Sequence, residues 1–223
     1  MDRIRILIVD DHAFFRRSIT PPLEEEPTIE IVGFAEDGDE AVRCSRMAYP
    51  DVILMDLRMP YLSGLDAIQR IAPQKKAPAI LIITGSDDRA YVVKAFAMGA
   101  SGYLRKDNIS DEMLISAIFT VASGGVFVDP DVFTDLLPSL IASEAHPDPD
   151  PTLLRILSAE DILLLQQVAL GHENTMIAEV LRITPKTVSN RLGLLYTELG
   201  VSNRVQAATF ALRNGLVSLV ETQ

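Results

Sequence analysis

Short apolar runs recur through the first half of the chain, and stretches with the spacing of a helix lie between them. The apolar runs, rich in Ile, Val and Leu, cover residues 4–9, 29–33, 52–55, 79–83 and 102–104. The helical stretches cover residues 39–48, 64–71, 87–98 and 110–123. Strands that alternate with helices in this way predict an α/β domain with a doubly wound parallel sheet of five strands.

The first helix of this pattern contains an interruption. Phe14, Phe15 and Ile19 give it an apolar face, but Pro21-Pro22 stands where a long helix would continue. Proline has no backbone N–H and costs about 3 kcal/mol in a helix interior. The sequence therefore predicts that this helix ends or kinks near Thr20.

A change of pattern beyond the middle divides the chain into two domains. Prolines alternate with His146, Asp148 and Asp150 at residues 146–151, which predicts a stiff, extended linker. Only helical patterns follow, at residues 159–170, 174–181, 185–199 and 204–214, with Ser158, Asn174 and Thr184 as expected caps of the first three helices. We expect an α/β domain at residues 1–127, a linker at 128–152 and an all-α, four-helix domain at 153–223.

The second and third helices of the all-α domain have the dimensions of a helix-turn-helix. In the third helix, the predicted core face holds Val188, Leu192, Leu195 and Leu199. The first turns of this helix carry residues that largely face outward: Lys186, Thr187, Ser189, Asn190 and Arg191. Because such side chains bond phosphates and base edges in a major groove, they predict a DNA-binding surface.

Polar residues stand at the carboxyl ends of four of the five predicted strands. Asp10 and Asp11 follow the first strand and Asp56 the third, while Thr84 follows the fourth and Lys106 the fifth. In a sheet of order 2-1-3-4-5 the first and third strands are neighbours, so the three carboxylates crowd one crevice. Three carboxylates repel one another unless a hard cation joins them, and Mg²⁺ prefers such oxygen ligands.

These groups suit phosphoryl transfer. Asp56 can attack a phosphorus centre as a nucleophile, which gives an acyl phosphate. Lys106 would offset the charge of the phosphoryl group, and the Thr84 hydroxyl would donate a hydrogen bond to it. Each residue alone is more often a helix cap or a packing residue, but the five together indicate a phosphoryl acceptor.

Charge and cysteine content bound the partners and the compartment. The 223 residues carry a formal net charge of −11, yet six cations and six acids balance from residue 151 onward. This neutrality predicts weak DNA binding with a shallow salt dependence.

A single cysteine, Cys44, excludes an internal disulfide and suits a reducing compartment. With no apolar run of the roughly 18–20 residues that a membrane span needs, and no signal-peptide pattern, we expect a cytoplasmic protein without a membrane partner.

Residues 5–127 resemble the receiver domain of bacterial two-component response regulators. The resemblance rests on four motifs: Ile8-Val9-Asp10-Asp11, Asp56-Leu57-Arg58-Met59-Pro60 with Gly64, Thr84-Gly85, and Tyr103-Leu104-Arg105-Lys106. It implies a flavodoxin-like fold in which Asp56 accepts a phosphoryl group from a sensor histidine kinase. It also implies that Asp11, Asp56 and the Arg58 carbonyl bind Mg²⁺, with Asp10 acting through water.

The same resemblance implies a switch formed by Thr84 and Tyr103. Thr84 would move toward the phosphoryl group, and Tyr103 would turn inward into the space that it leaves. By its own chemistry Tyr103 is more often a packing residue, so this role depends on the resemblance. The receiver would catalyse only its own phosphorylation and dephosphorylation, which makes the protein a switch and not a metabolic enzyme.

The chain from Leu157 to about Val217 resembles the NarL/FixJ, or LuxR-type, helix-turn-helix domain. The matching residues include Ala169-Leu170-Gly171, Thr184-Pro185-Lys186-Thr187-Val188 and Asn203-Arg204. The resemblance implies DNA binding as a homodimer that pairs through the last helix. The chain departs from the family at several positions: the family usually has a basic residue where Ser189 stands, His where Arg191 stands and an acid near Met176, and Gly193 lies in a helix interior.

The sequence therefore predicts a transcription factor controlled by phosphorylation at Asp56, with a sensor kinase and double-stranded DNA as partners. An alternative is a phosphorylated protein-interaction module whose helix-turn-helix no longer binds DNA. A metal-dependent phosphatase on a similar sheet is disfavoured, because Arg58 stands where that class has a second acid.

Overall fold

A computed structural model describes residues 3–73, 77–85, 89–129, 157–201 and 203–217. Its first domain contains a parallel sheet of order β2-β1-β3-β4-β5-β6. The strands are β1 (Ile4–Val9), β2 (Ile29–Ala35), β3 (Val52–Met55), β4 (Ala79–Thr84), β5 (Gly102–Arg105) and β6 (Phe127–Val128). The predicted order 2-1-3-4-5 is confirmed, and a sixth strand lies beside β5. The sequence did not reveal β6, since two residues are too short to show an alternating pattern.

Among the residues that the structure describes, five α-helices cover the two faces of this sheet. They are α1 (Ala13–Glu25), α2 (Gly38–Ala48), α3 (Gly64–Ile71), α4 (Arg89–Met98) and α5 (Asp111–Ala122). Alternate strand residues point to opposite faces, so β1 gives Leu7 and Val9 to the core under α2, α3 and α4. Ile6 and Ile8 enter the second core, under α1 and α5.

The first helix does not end near Thr20, so of the two expected outcomes, an end or a kink, the end is wrong. The helix α1 runs through Pro21-Pro22 to Glu25. Ile19 and Leu23, on either side of the prolines, are both buried in the core that α1 shares with α5. The carbonyls that lose their helical donors belong to exposed residues, where water can solvate them. Burial of the apolar face thus outweighs the missing backbone hydrogen bonds.

The second domain contains four helices among the described residues: α6 (Ala159–Ala169), α7 (Asn174–Leu181), α8 (Pro185–Leu199) and α9 (Arg204–Arg213). Ser158 caps α6 in a capping box with Asp161, and Thr184 caps α8 with Pro185 in its first turn, as predicted. The predicted core face of α8 is confirmed as buried, with Val188, Leu192, Leu195 and Leu199 in one cluster.

Asn174 does not cap α7 as expected. Glu173 occupies the cap position without a side-chain hydrogen bond, and Asn174 is the first helical residue. The Asn174 side chain is buried instead, and its Oδ1 accepts a hydrogen bond of 3.0 Å from Nη1 of Arg204. A tertiary partner has therefore replaced the local capping role.

Most of the predicted linker, including the alternating acids and prolines, lies outside the described residues. Within the described part of the chain, no helix is long and apolar enough to cross a membrane.

Candidate functional site

The first candidate site is an acidic pocket at the carboxyl edge of the sheet. The Asp10 backbone N–H donates to the Ala35 carbonyl of β2 at 3.0 Å, and that of Asp56 donates to the Val9 carbonyl at 2.9 Å. The parallel register also pairs Val9 with Met55, directly before the two acids. Both carboxylates are buried. The sheet backbone therefore places Asp10 and Asp56 side by side, as the sequence predicted.

Lys106 joins these two carboxylates. It opens a short 3-10 turn after β5, and its Nζ lies 2.5 Å from Oδ2 of Asp10 and 2.5 Å from Oδ2 of Asp56. Since Asp11 adds a third carboxylate, the pocket holds three acids and one ammonium group. It carries an excess of negative charge that a divalent cation would balance.

The ligand atoms in this pocket suit a metal ion. Oxygen or nitrogen atoms of Asp10, Asp11, His12 and Asp56 all lie within 4.8 Å of one another. The sequence predicted the three acids but overlooked His12, whose Nδ1 lies 2.8 Å from Oδ1 of Asp11. Its position directly after the acid pair was the available signal. A set dominated by carboxylates fits a hard cation such as Mg²⁺.

Glycine at position 64 allows α3 to begin beside the pocket. A Cβ on Gly64 would lie 2.1 Å from the carbonyl oxygen of Asp56. The Gly64 N–H donates to the Leu57 carbonyl at 3.1 Å, and Ser63 caps the helix. This close approach of the helix start to the end of β3 requires a residue without a side chain.

An aromatic ring contacts the lysine. Nζ of Lys106 lies 4.6 Å from the centre of the Phe15 ring, close enough for a cation–π interaction. Phe15 is half-buried on α1 and packs against the core that α1 shares with α5. The sequence identified Phe15 only as part of an apolar helix face, because contact with Lys106 depends on the tertiary fold.

The proposed switch residues lie inside the domain. Thr84 ends β4 and is buried, and Tyr103 of β5 is buried in the core that α4 covers. Tyr103 therefore packs inward. Arg58 contributes a backbone N–H that donates to Oδ1 of Asp56 at 3.1 Å. The metal-ligand role of the Arg58 carbonyl and the switch role of Thr84 and Tyr103 stay predictions.

The second candidate site is the start of α8. Four of the predicted DNA-contact residues are exposed there: Lys186, Thr187, Ser189 and Asn190. The fifth, Arg191, is half-buried and forms an ion pair with Glu160 of α6, with Nη2 2.6 Å from Oε2. The sequence gave no indication of this partner, because Glu160 lies about thirty positions away in a different helix.

The helical domain contacts the first domain at the end of α4. Oδ1 of Asn203 accepts from the Gln206 N–H and caps α9, while its Nδ2 donates to the Phe96 carbonyl at 2.7 Å. Gln206 donates through Nε2 to the Ala97 carbonyl. Val205 packs against the core under α4. The amino end of α9 therefore binds the last carbonyl groups of α4.

A second contact lies after α5. Gly124 has a φ of +81°, and a Cβ there would lie 2.5 Å from Nδ2 of Asn174. Arg204 links this contact to α9, because its guanidinium donates to Asn174 Oδ1 and to the His172 carbonyl. Burial lowers the pKa of Arg204 and raises the pKa of the neighbouring Tyr196 to about 12.

The structure thus joins a parallel α/β sheet, with a buried aspartate–lysine pair at its edge, to a helical domain that contains a helix-turn-helix. A family model described as the response regulator receiver domain matches residues 6–119. A second model, described as bacterial regulatory proteins of the luxR family, matches residues 155–211.

Two curated proteins match this chain over nearly its whole length, and a solved structure matches part of it. The transcriptional regulatory protein DegU of Brevibacillus brevis is 33% identical, over 98% of this chain and 97% of its own length. LiaR of Bacillus subtilis is 36% identical, over 96% of this chain and 100% of its own. A crystal structure of a LuxR-family two-component response regulator from Aurantimonas sp. matches with a TM-score of 0.58 and 33% identity, over 63% of this chain and 99% of its own. The chain belongs to the response regulators that join a receiver domain to a LuxR-type DNA-binding domain, and it is a transcription factor of that family.

Proposed function

We propose that a sensor histidine kinase phosphorylates Asp56 and that this modification controls DNA binding by the helical domain. The observation that carries the proposal is the buried Asp56 carboxylate, with Oδ2 held 2.5 Å from Nζ of Lys106 beside Asp10. Nucleophile and cation are positioned together, as phosphoryl transfer requires.

In the transfer step, a carboxylate oxygen of Asp56 forms a bond to phosphorus while the bond between phosphorus and the kinase histidine breaks. Lys106 then pairs with the phosphoryl oxygens. Asp11, Asp56 and the Arg58 carbonyl would hold Mg²⁺, with Asp10 acting through water, and the ion would offset the negative charge of the transferred group. By the same groups the receiver catalyses its own phosphorylation and dephosphorylation.

The structural change caused by phosphorylation reaches the helical domain through α4. In our proposal Thr84 turns toward the phosphoryl group, and Tyr103 then changes its side-chain packing in the core beneath α4. Tyr103 shares that core with Phe96, whose carbonyl accepts the hydrogen bond from Asn203 of the helical domain. A change in packing under α4 thus reaches the contact between domains through a short path.

Release of that contact would favour the DNA-competent dimer. The family resemblance assigns pairing to α9, and the amino end of α9 contacts α4 in this structure. Phosphorylation would free α9 for pairing, and two copies of α8 would then present Lys186, Thr187, Ser189, Asn190 and Arg191 to successive major grooves. With DNA as the partner we infer a cytoplasmic location, and we propose domains at residues 1–127 and 153–223 with a linker at 128–152.

The test is binding of the purified protein to fragments of its own genome across a salt series. It is run with and without beryllofluoride, which mimics the phosphoryl group on Asp56. Selective binding that tightens with the mimic would support the proposal. Selective binding that is indifferent to the mimic would mean that the receiver controls another property, such as assembly.

The second candidate function is a phosphorylation-controlled protein-interaction module. Two observations favour it: the neutral charge of the chain from residue 151 onward, and the ion pair that occupies Arg191. Loss of all selective DNA binding, with the mimic still changing the oligomeric state, would favour this function over transcriptional control.

A further inference from the structure

Arg191 is the only arginine in α8, and two acids of another helix lie beside it. Nη2 of Arg191 lies 2.6 Å from Oε2 of Glu160 and 3.7 Å from Oδ1 of Asp161, both in the first turn of α6. The Arg191 side chain is 32% exposed, whereas that of Glu160 is 70% exposed. Arg191 is therefore paired with an acid whose own side chain is largely exposed to solvent.

The two acids have different roles. Asp161 completes the capping box of α6, because its carboxylate accepts from the backbone and hydroxyl of Ser158. Glu160 forms an ion pair with Arg191 and is not part of the cap. Glu160 is thus the residue that can be changed without removing the start of α6.

We propose that Glu160 is a specificity-determining residue, which competes with DNA for Arg191. The inference rests on the proposed DNA-binding function of α8. The described outward residues of its first turns carry only two cations, Lys186 and Arg191, since Thr187, Ser189 and Asn190 are neutral. Pairing with Glu160 cancels one of those two charges.

This competition weakens non-specific binding more than specific binding. When Arg191 binds a phosphate, it gains an ionic contact. Glu160 then loses its ion pair with Arg191 and lies as an unpaired acid next to the polyanionic DNA. Every DNA sequence offers Arg191 a phosphate, but only the correct position also offers the planar guanidinium the two acceptors of a guanine edge. The acid therefore acts against wrong sites by making the general electrostatic contact unfavourable.

The decisive variant is Glu160→Gln, measured against Glu198→Gln as the matched control. Both substitutions remove one negative charge from an exposed side chain of the helical domain, but Glu198 lies near the far end of α8. With beryllofluoride present, the binding of full-length protein to a random duplex and to its selected genomic fragment is measured across a salt series. Arg191→Ala and the double variant Glu160→Gln/Arg191→Ala complete a cycle.

We expect Glu160→Gln to raise affinity for the random duplex several-fold and to steepen the salt slope by about 0.9, the value for one added phosphate contact. The affinity for the selected fragment rises less, so the ratio of this affinity to that for the random duplex falls. In the Arg191→Ala background the gain is reduced to that of Glu198→Gln. Binding to DNA that appears only with Glu160→Gln also supports the inference.

Two results would overturn the inference. If the native protein binds its fragment selectively and Glu160→Gln changes neither affinity nor slope beyond Glu198→Gln, only the role of Glu160 fails. If neither the native protein nor Glu160→Gln binds DNA at low salt, the DNA-binding part of the proposed function fails with it.

Discussion

The two candidate sites hold their charged groups in opposite ways. In the receiver pocket, Asp10 and Asp56 are buried, and the sheet register aligns their backbones before Lys106 joins them. At the start of α8, the polar groups are exposed and the arginine is paired within its own domain. Chemistry on a small group depends on fixed, desolvated charges, whereas DNA recognition depends on charges that can exchange partners.

This difference predicts unequal sensitivity to substitution. In the pocket, a change of one atom removes the reacting group or its support. At the α8 surface and at the contact between domains, single changes shift equilibria by modest factors. Four substitutions, ordered from the largest expected effect to the smallest, test this contrast.

Asp56→Asn is expected to abolish phosphoryl uptake from a small phosphodonor, since the amide is not a nucleophile for phosphorus. The control is Asp51→Asn, at the opposite end of β3, where an amide oxygen can still accept from the Arg5 N–H. Phosphorylation is measured by intact-protein mass. Uptake that survives in Asp56→Asn would place the phosphoryl group on another residue.

Gly64→Ala is expected to lower the free energy of unfolding by about 1–3 kcal/mol, because its Cβ would overlap the Asp56 carbonyl and force the backbone apart. Phosphorylation should also slow, since the carbonyl belongs to the phosphoacceptor residue. Denaturant unfolding and the rate of uptake are the measurements.

The same substitution at Gly193 makes the comparison between the domains. Gly193 is exposed in the interior of α8, and a Cβ there would meet no atom of the described residues within 4 Å. Gly193→Ala should therefore stabilise the helical domain by up to about 1 kcal/mol. Equal effects at positions 64 and 193 would contradict the close approach at the pocket.

Asn203→Asp is expected to weaken docking of the helical domain on α4. The carboxylate can still cap α9 through Gln206, but it cannot donate to the Phe96 carbonyl and instead repels it. Loss of about 1 kcal/mol corresponds to a roughly fivefold shift toward the separated arrangement. Small-angle scattering should show a larger radius of gyration, and DNA binding without phosphorylation should increase.

The control for this variant is Asn214→Asp, which removes an amide donor that bonds the Phe210 carbonyl within α9. It should leave the scattering profile unchanged. Equal profiles for Asn203→Asp and the native protein would mean that the hydrogen bond to α4 does not hold the domains together.

Phe15→Leu is expected to have the smallest effect. It keeps an apolar side chain against the core but removes the ring over Lys106, a contact worth about 0.5–1 kcal/mol at partly exposed sites. The phosphorylation rate or the lifetime of the phosphoryl group should change by a few-fold. A loss as complete as that of Asp56→Asn would show that Phe15 has a different role.

The sequence by itself determined the features that depend on local pattern. Apolar runs that alternate with helical patterns predicted the doubly wound parallel sheet, and the expected order 2-1-3-4-5 is confirmed. Polar residues at the strand ends predicted that Asp10, Asp11 and Asp56 crowd one crevice, and ligand atoms of these three residues lie within 4.8 Å of one another. Ser158 and Thr184 marked two helix starts correctly, because a capping side chain bonds the backbone only three residues away.

Only the tertiary structure decided the features whose cause lies far along the chain. The helix α1 continues through Pro21-Pro22 because its apolar face packs in the core, although the cost of proline in a helix interior predicts an end or a kink there. Asn174 does not cap a helix but accepts a hydrogen bond from Arg204, thirty residues away, and Arg191 forms an ion pair with Glu160 of another helix. Local propensities are worth about 1–3 kcal/mol each, and burial of apolar side chains between distant elements can exceed them.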